Sequence, residues 1–412
     1  MEELSCQRIM TADGYKYPSH LTKRIVRALF ATSIKDGMIG LQFEDQIINV
    51  GSGDYICTIA PPTLWRLIRL LLRPDYRLPS YYTRGFWCCE TGRLFDFLDL
   101  LVKQNKSPLH LWFRLFNRNP VRDGFVYRLF PIVARRRIAE HYNTSPEFMR
   151  LILGRNLEYT CAFFESPVMT LEAAQENKIR KVIDRLQLAE GQTILDIGCG
   201  WGQVAEEISR RTKAKITAIS ISDEQIKFAQ RSSSSDLVSF VASAFERFQP
   251  DAKYDRIYSI GMLEHVGRGR LESYFSKISS LLADNGLALI HCIVKTEAGS
   301  TNSWIDREVF PGAYIPRLSE VIHNFERSSL KVMDIYIHGS DNYFRTLSAW
   351  VDNLYRNEAS LREILLANLP RRDADRILRT WEFYLQGSRL AFRDHGRSCY
   401  NVHIVVRPTP CG

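Results

Sequence analysis

The sequence predicts an α/β protein built on a doubly wound, mainly parallel sheet. From residue 170 onward, short runs rich in β-branched residues alternate with stretches of helical periodicity. The first of those runs, "QTILDIG", breaks into glycines at Gly198, Gly200 and Gly202. The chemically suggestive motifs then fall at carboxyl ends of expected strands, where such sheets place their ligands.

Along the chain, character changes near residue 140, which predicts a smaller N-terminal domain, 1–139, and a larger one, 140–412. Arginine-rich apolar stretches mark the first, among them "TLWRLIRLLLR" (Thr63 to Arg73) and "LWFRLFNRNPVRDGFVYRLFPIVARRR" (Leu111 to Arg137). The preferred reading is helices with one apolar face on a core and solvated arginines opposite. The sharper alternative is a basic amphipathic surface that meets anionic lipid headgroups. In the second domain "TLEAAQENKIRKVIDRLQL" has helical spacing, with Thr170 as cap and Glu172 in the first turn. Strands are expected at "QTILDIG", "KITAISIS", "LVSFVAS", "YDRIYSIG" and "GLALIHCIV", then at "LKVMDIYIHG" and "YNVHIVVRP". Helical stretches such as "DEQIKFAQRS" and "LESYFSKISSLL" lie between them.

The 412 residues suffice for a sizeable core, and 45% of them are hydrophobic. The net charge of +9 favours acidic partners without choosing between lipid and nucleic acid. Nine cysteines without C-x-x-C pairing predict neither a disulfide framework nor a zinc site, so no metal centre is expected. The start, "MEELSCQRIM", is acidic where a signal peptide is basic, and no run approaches the roughly 18 apolar residues of a membrane span. A cytoplasmic protein with reduced thiols is the expectation.

Asp196, Gly198, Gly200 and Gly202 sit where the first strand of the second domain turns into a helix. They form either a plain tight turn or one whose backbone presses against a ligand. The spacing is not G-x-G-x-x-G, and no Lys-Ser or Lys-Thr for a nucleoside triphosphate follows. "LDIGCGWG" resembles motif I of the S-adenosylmethionine-dependent methyltransferases, which implies a Rossmann-like fold with the glycine backbone against the cofactor. The next strand ends "AISISDEQ", without the acid that often binds both ribose hydroxyls. Asp223 or Gln225 could reach instead, and Ser222 or Asp223 could simply cap the helix. In "SAFERF", Phe245 could stack on an adenine with Glu246 nearby; taken alone, Phe245 reads as core.

"YTCAFF", "GMLEHVGRGR" and "LIHCIV" each have a dull reading when isolated: a buried thiol, a helix-capping acid, a core histidine. Taken with "HYNTSPEFMRLIL", "WIDREVFPGAYIP" and "DNYFRTLSAW", their order and spacing make residues 140 to 400 resemble the cyclopropane-fatty-acyl-phospholipid synthases. Upstream, "PSYYTRGFWCCETGRLFDFLDLL" resembles the end of that family's small N-terminal domain.

The resemblance implies a seven-stranded methyltransferase sheet. It also implies transfer of a methyl group from S-adenosylmethionine to the double bond of an unsaturated phospholipid acyl chain, closing a cyclopropane ring with bound bicarbonate as base. Carried over residue by residue, the bicarbonate cradle falls on Cys161, Glu264, His291, Ile293 and Tyr343, with Cys161 and Ile293 offering backbone N–H groups. The cofactor positions fall on Tyr159, Thr160, Asp196, Gly198, Gly200, Ser220, Ile221, Gln225, Ala244, Phe245 and Glu246, with Gln225 replacing the missing ribose acid. "YTC", "HYN", Cys292 and Ser220 depart conservatively from the family pattern and leave the product open between a ring and an in-chain methyl or methylene group. The implied partner is an unsaturated phospholipid at the inner face of the membrane, met peripherally by the N-terminal domain; a homodimer is left open. A small-molecule N- or C-methyltransferase is the first rival and a non-catalytic lipid-binding protein the second. No nucleic acid partner is expected, because no "NPPY"-like or cysteine-nucleophile motif is present.

Overall fold

Residues 20–43, 46–103, 145–296, 302–393 and 399–409 are described by a computed structural model of the chain. They form two compact units. One takes in the described residues up to 103, Asn302–Trp304 and Glu358–Leu390; the other takes in the remainder.

The first unit carries a four-stranded sheet of β1 (Gly37–Gln42), β2 (Ile47–Ser52), β3 (Tyr55–Ala60) and β4 (Cys88–Cys89), in the order β2-β1-β3-β4. Tyr82 donates to Glu382 at 2.6 Å and packs against Trp87 and Phe383, which ties the helix Arg371–Phe392 to this unit. Its helix Leu64–Leu72 follows Thr63 and buries Leu67 and Leu70. The opposite face, one turn and two turns apart, exposes Trp65 (62%), Ile68 (44%) and Leu72 (50%). Arg69 lies over the Trp65 ring at 4.9 Å, and Arg66 over Phe86 at 3.7 Å. The packed-core reading therefore holds for one face only; the other mixes arginines with exposed apolar side chains. The second arginine-rich stretch, 111–137, with Arg114, Arg118 and Arg122, lies outside the described residues, as does "HYN" at 141–143.

In the second unit the strands are β5 (Thr193–Ile197), β6 (Lys215–Ser220), β7 (Val238–Ala242), β8 (Tyr254–Ile260), β9 (Leu282–Lys295), β10 (Leu330–Gly339) and β11 (Cys399–Pro408). They make one seven-stranded sheet in the order β10-β11-β9-β8-β5-β6-β7. Strands β9, β8, β5, β6 and β7 pair in parallel, and β11 runs antiparallel to both of its neighbours. Each expected strand is present.

Alternation along the central strands sorts their side chains onto two faces. Leu195, Ile257 and Ile290 enter a core with Phe275 of the helix Leu271–Leu281 and Phe325 of the helix Leu318–Arg327. Their chain neighbours Ile194, Tyr258 and Leu289 enter another. There they meet Val182 of the helix Leu171–Leu186, Ile208 of Gln203–Thr212 and Ile226 of Asp223–Ser232. Both faces are thus covered, as a doubly wound sheet requires. Among the described residues no helix is long and apolar enough to cross a membrane.

Candidate active site

β5 is the pivot of the sheet: chain connections wind from it toward β6 on one side and β8 on the other, which opens a crevice beyond its carboxyl end. The N–H groups of Gly198 and Cys199 both donate to Ile219 O, at 2.9 and 3.0 Å, so the turn is pinned to β6. Its glycines serve different needs. A Cβ on Gly202 would lie 2.7 Å from Phe240 and 2.8 Å from Ala229, so that position is closed by packing. Gly200 has φ +54° and a Cβ there would meet no protein atom within 4 Å. Its surroundings are open because it borders a cavity. The plain-turn reading fits Gly202; the ligand-turn reading fits Gly200.

That cavity, about 1380 Å³ including some open solvent, is lined by every expected cofactor residue except Ala244. Ala244 instead holds its own turn, its carbonyl accepting from the N–H groups of Arg247 and Phe248. Ser220 donates to Gln225 Oε1 at 3.1 Å, and both side chains are buried at the rim. Ser222 caps its helix by accepting from Gln225 N–H, whereas Asp223 points to solvent. Of the two, Gln225 lines the cavity and Asp223 does not. Phe245 lines the cavity with its edge against Tyr274, ring centres 4.8 Å apart, so it is both core and wall. Glu246 pairs with Arg270 at 3.5 Å, and both line the cavity.

Burial sets the charges here. It pushes the Asp196 carboxyl up to about 8, against an opposing contribution from Tyr258. It pulls the His265 imidazole, another wall residue, down to about 4, so that ring is neutral at neutral pH. A positively charged ligand meets no repelling histidine in this wall.

Of the expected anion cradle, Glu264 and Ile293 are in direct contact. Glu264, on the short helix Leu263–Val266, accepts from Ile293 N–H of β9 at 2.6 Å. The Ile293 donor is thus engaged by the carboxylate itself. Glu264 Oε2 has no hydrogen-bond partner among the described residues, and burial raises the carboxyl to about 7, with Ile293 N–H opposing. Burial also raises the Cys161 thiol to about 12, so it stays protonated. Its segment is fixed by the helix Asp341–Arg356, which carries Tyr343: Thr346 Oγ1 accepts from Ala162 N–H, and Asn342 Oδ1 from Phe164 N–H. His291 groups with His338 and His403. None of the five cradle residues lines the cofactor cavity.

Sequence reasoning missed the support beneath Tyr159 and Thr160. Lys178, wholly buried on the helix Leu171–Leu186, pairs with Glu158 at 2.6 Å and donates to Thr160 Oγ1 at 2.8 Å. Gln175 and Asn177 donate to the carbonyls of Thr160 and Phe163. The available signal was a glutamine and a lysine inside the apolar stripe that Leu171, Ala174, Ile179 and Val182 define.

Residues 132–402 match the family described as Mycolic acid cyclopropane synthetase. A relative from Pseudomonas putida named "Probable fatty acid methyltransferase" is 31% identical over 286 residues, 66% of this chain and 69% of that one. Cyclopropane-fatty-acyl-phospholipid synthase of Escherichia coli strain K12 is 27% identical over 334 residues, 79% of this chain and 81% of that one. Among solved structures, mycolic acid cyclopropane synthase CmaA1 complexed with SAH and CTAB superposes with a TM-score of 0.59 at 27% identity. That match covers 66% of this chain and 98% of the other. The glycine turn, its cavity and these likenesses agree: the chain belongs to the mycolic acid cyclopropane synthetase family and is an S-adenosylmethionine-dependent methyltransferase of the cyclopropane synthase type.

Proposed function

We propose that the protein adds a methylene unit from S-adenosylmethionine across the double bond of an unsaturated phospholipid acyl chain, with bicarbonate as the base. The observation that carries this is Glu264: a buried carboxyl with one oxygen tied to Ile293 N–H, the other without a partner, and titration near neutrality. Such a group suits an acidic hydrogen on a small anion better than it suits a structural role. His291 Nδ1 is a further buried atom without a partner among the described residues, as a cradle for a hydrogen-bonding ion requires.

When bound, S-adenosylmethionine supplies an electrophilic methyl on a sulfonium, and bicarbonate supplies a base. The chain's own part is positional. Gly200 leaves room for close backbone approach, Gln225 and Ser220 offer polar atoms at the rim, and neutral His265 admits a cation. The Lys178–Glu158 pair holds Thr160 in the wall. The exposed face of the helix Leu64–Leu72, with Arg66 and Arg69, supports peripheral docking at the inner face of a membrane.

The Pseudomonas putida relative supports a second reading, in-chain methylation of the acyl chain without ring closure. Fatty acids from a host expressing the protein separate the two. The first reading expects acyl chains heavier by one CH2, resistant to hydrogenation, with cyclopropane ring protons by NMR. Olefinic methylene or methyl branches would establish the second, and unchanged lipids with methylated small amines would remove both.

A further inference from the structure

We propose that His291, His338 and His403 form a binding site for one divalent transition-metal ion of the zinc class. The three residues stand on β9, β10 and β11, adjacent in the sheet. The antiparallel register sets His291 directly opposite His403. On the other side of β11 the pairing slips between Ile337 and Gly339, and His338 sits in that irregularity. Such slips re-aim a side chain, and here the third imidazole meets the other two. The ring centres are 4.5 Å apart for His291 and His403, 4.1 Å for His338 and His403, and 5.2 Å for His291 and His338.

One nitrogen from each ring lies within 4.8 Å of the other two. All three residues are more than nine-tenths buried. Five ring nitrogens find no hydrogen-bond partner among the described residues: Nδ1 of His291 and both nitrogens of His338 and His403. A neutral imidazole carries one donor and one acceptor, and leaving either unmade in the interior is costly. A shared ion satisfies one nitrogen of each ring at once. Three imidazoles bind zinc at about 2.0–2.1 Å and leave a fourth position for water or an anion.

Two cations, Lys178 and Arg185, act on the cluster electrostatically. Lys178 is offset by Glu158, and Arg185 lies over the Tyr336 ring at 4.0 Å. With no thiolate or carboxylate among the donors, the ion should be exchangeable and removed by chelators. The inference does not rest on the bicarbonate reading, but it uses the same His291 Nδ1. Ligation through His291 Nδ1 would take that atom from the anion cradle, because the ring's other hydrogen bond goes to the Asn401 side chain, and metal binding fixes ring orientation.

The test uses the full, untagged chain stripped with chelator and titrated with Co(II) and Zn(II). Expected are one equivalent bound, visible Co(II) bands of a four- or five-coordinate nitrogen site, and a higher melting temperature with Zn(II). His338→Ala and His403→Ala should each abolish the bands while far-UV circular dichroism stays native. His403→Gln provides a milder variant if alanine compromises folding. Absence of stoichiometric binding to the wild type overturns the site, as does undiminished binding by the His338→Ala/His403→Ala double variant. Neither result bears on bicarbonate dependence, which is read separately from the turnover of wild-type enzyme in depleted and replenished buffer.

Discussion

The backbone N–H of Ile293 donates to Glu264 Oε1 at 2.6 Å, while Oε2 of the same buried carboxyl has no partner among the described residues. One oxygen is oriented by β9 and the other remains unsatisfied, a state that burial away from water makes unfavourable. This asymmetry is what separates Glu264 from a helix-capping acid.

Replacing Glu264 by Gln should leave cofactor affinity within a few-fold of wild type and lower turnover about 10²- to 10⁴-fold, the usual loss for a positioned acid–base group. The same variant should change the pH dependence of stability. The folded carboxyl titrates near 7, above its ordinary 4.5, so between these values the folded protein holds a proton that the unfolded chain has released. Stability from this group is therefore complete below pH 4.5 and lost as pH rises through 7, by on the order of 3 kcal/mol. Urea midpoints across that window should fall less steeply for Glu264→Gln. Parallel profiles would contradict the buried titration.

Gly200→Ala and Gly202→Ala should fail in opposite ways. At Gly200 a methyl meets only the cavity, so the loss of stability is confined to left-handed strain of about 1–2 kcal/mol. Affinity for S-adenosylhomocysteine should fall at least tenfold in calorimetry. At Gly202 the methyl overlaps Phe240 and Ala229, and the protein should unfold or lose several degrees of melting temperature before binding is affected. Undiminished affinity in folded Gly200→Ala would return that glycine to a purely conformational role.

Much of this was legible beforehand, for identifiable reasons. The central strands are buried on both faces, so "TILDI" and "ALIHCIV" read as continuous apolar runs bounded by glycine and charge. Thr170 and Ser222 cap their helices as their positions indicate. The histidine cluster was not legible, because His338 reaches the other two only through a slip in register that no local pattern records. Likewise, Ile293 N–H was expected to face an anion, but a hydrogen bond between a short helix and a strand 29 residues away is set by tertiary packing. The turn at Ala244, whose carbonyl accepts from Arg247 and Phe248 N–H, was also not readable from local pattern.

Lys178→Met should destabilise strongly, because it leaves the Glu158 carboxylate buried without its cation. Removing one partner of a buried pair commonly costs about 3–5 kcal/mol. Adding Glu158→Leu should recover most of that stability in urea titrations, but not cofactor affinity, since Thr160 Oγ1 still lacks the Lys178 donor. Recovery of both would show that the pair has no positioning role. Equal stability of the single variant and wild type would mean that Glu158 finds another partner.

The helix Leu64–Leu72 should bring the protein to a membrane surface. Trp65, Ile68 and Leu72 share its outward face, with Arg66 and Arg69 beside them, while Leu67 and Leu70 anchor the inward face. On docking, apolar side chains on that face would enter the acyl boundary, and each arginine near an anionic surface would add about 1 kcal/mol. Changing Trp65, Ile68 and Leu72 together to Ser should preserve folding, because the three are already solvent-exposed. Partitioning onto anionic vesicles should fall at least tenfold, since burying even one such side chain contributes about 1.5–3 kcal/mol. Arg66→Gln/Arg69→Gln should instead weaken binding to anionic vesicles only and flatten its dependence on salt. Cofactor affinity, measured without lipid, should be unchanged in both variants. Vesicle sedimentation that is insensitive to the triple substitution, with native circular dichroism, would exclude this helix as the docking face.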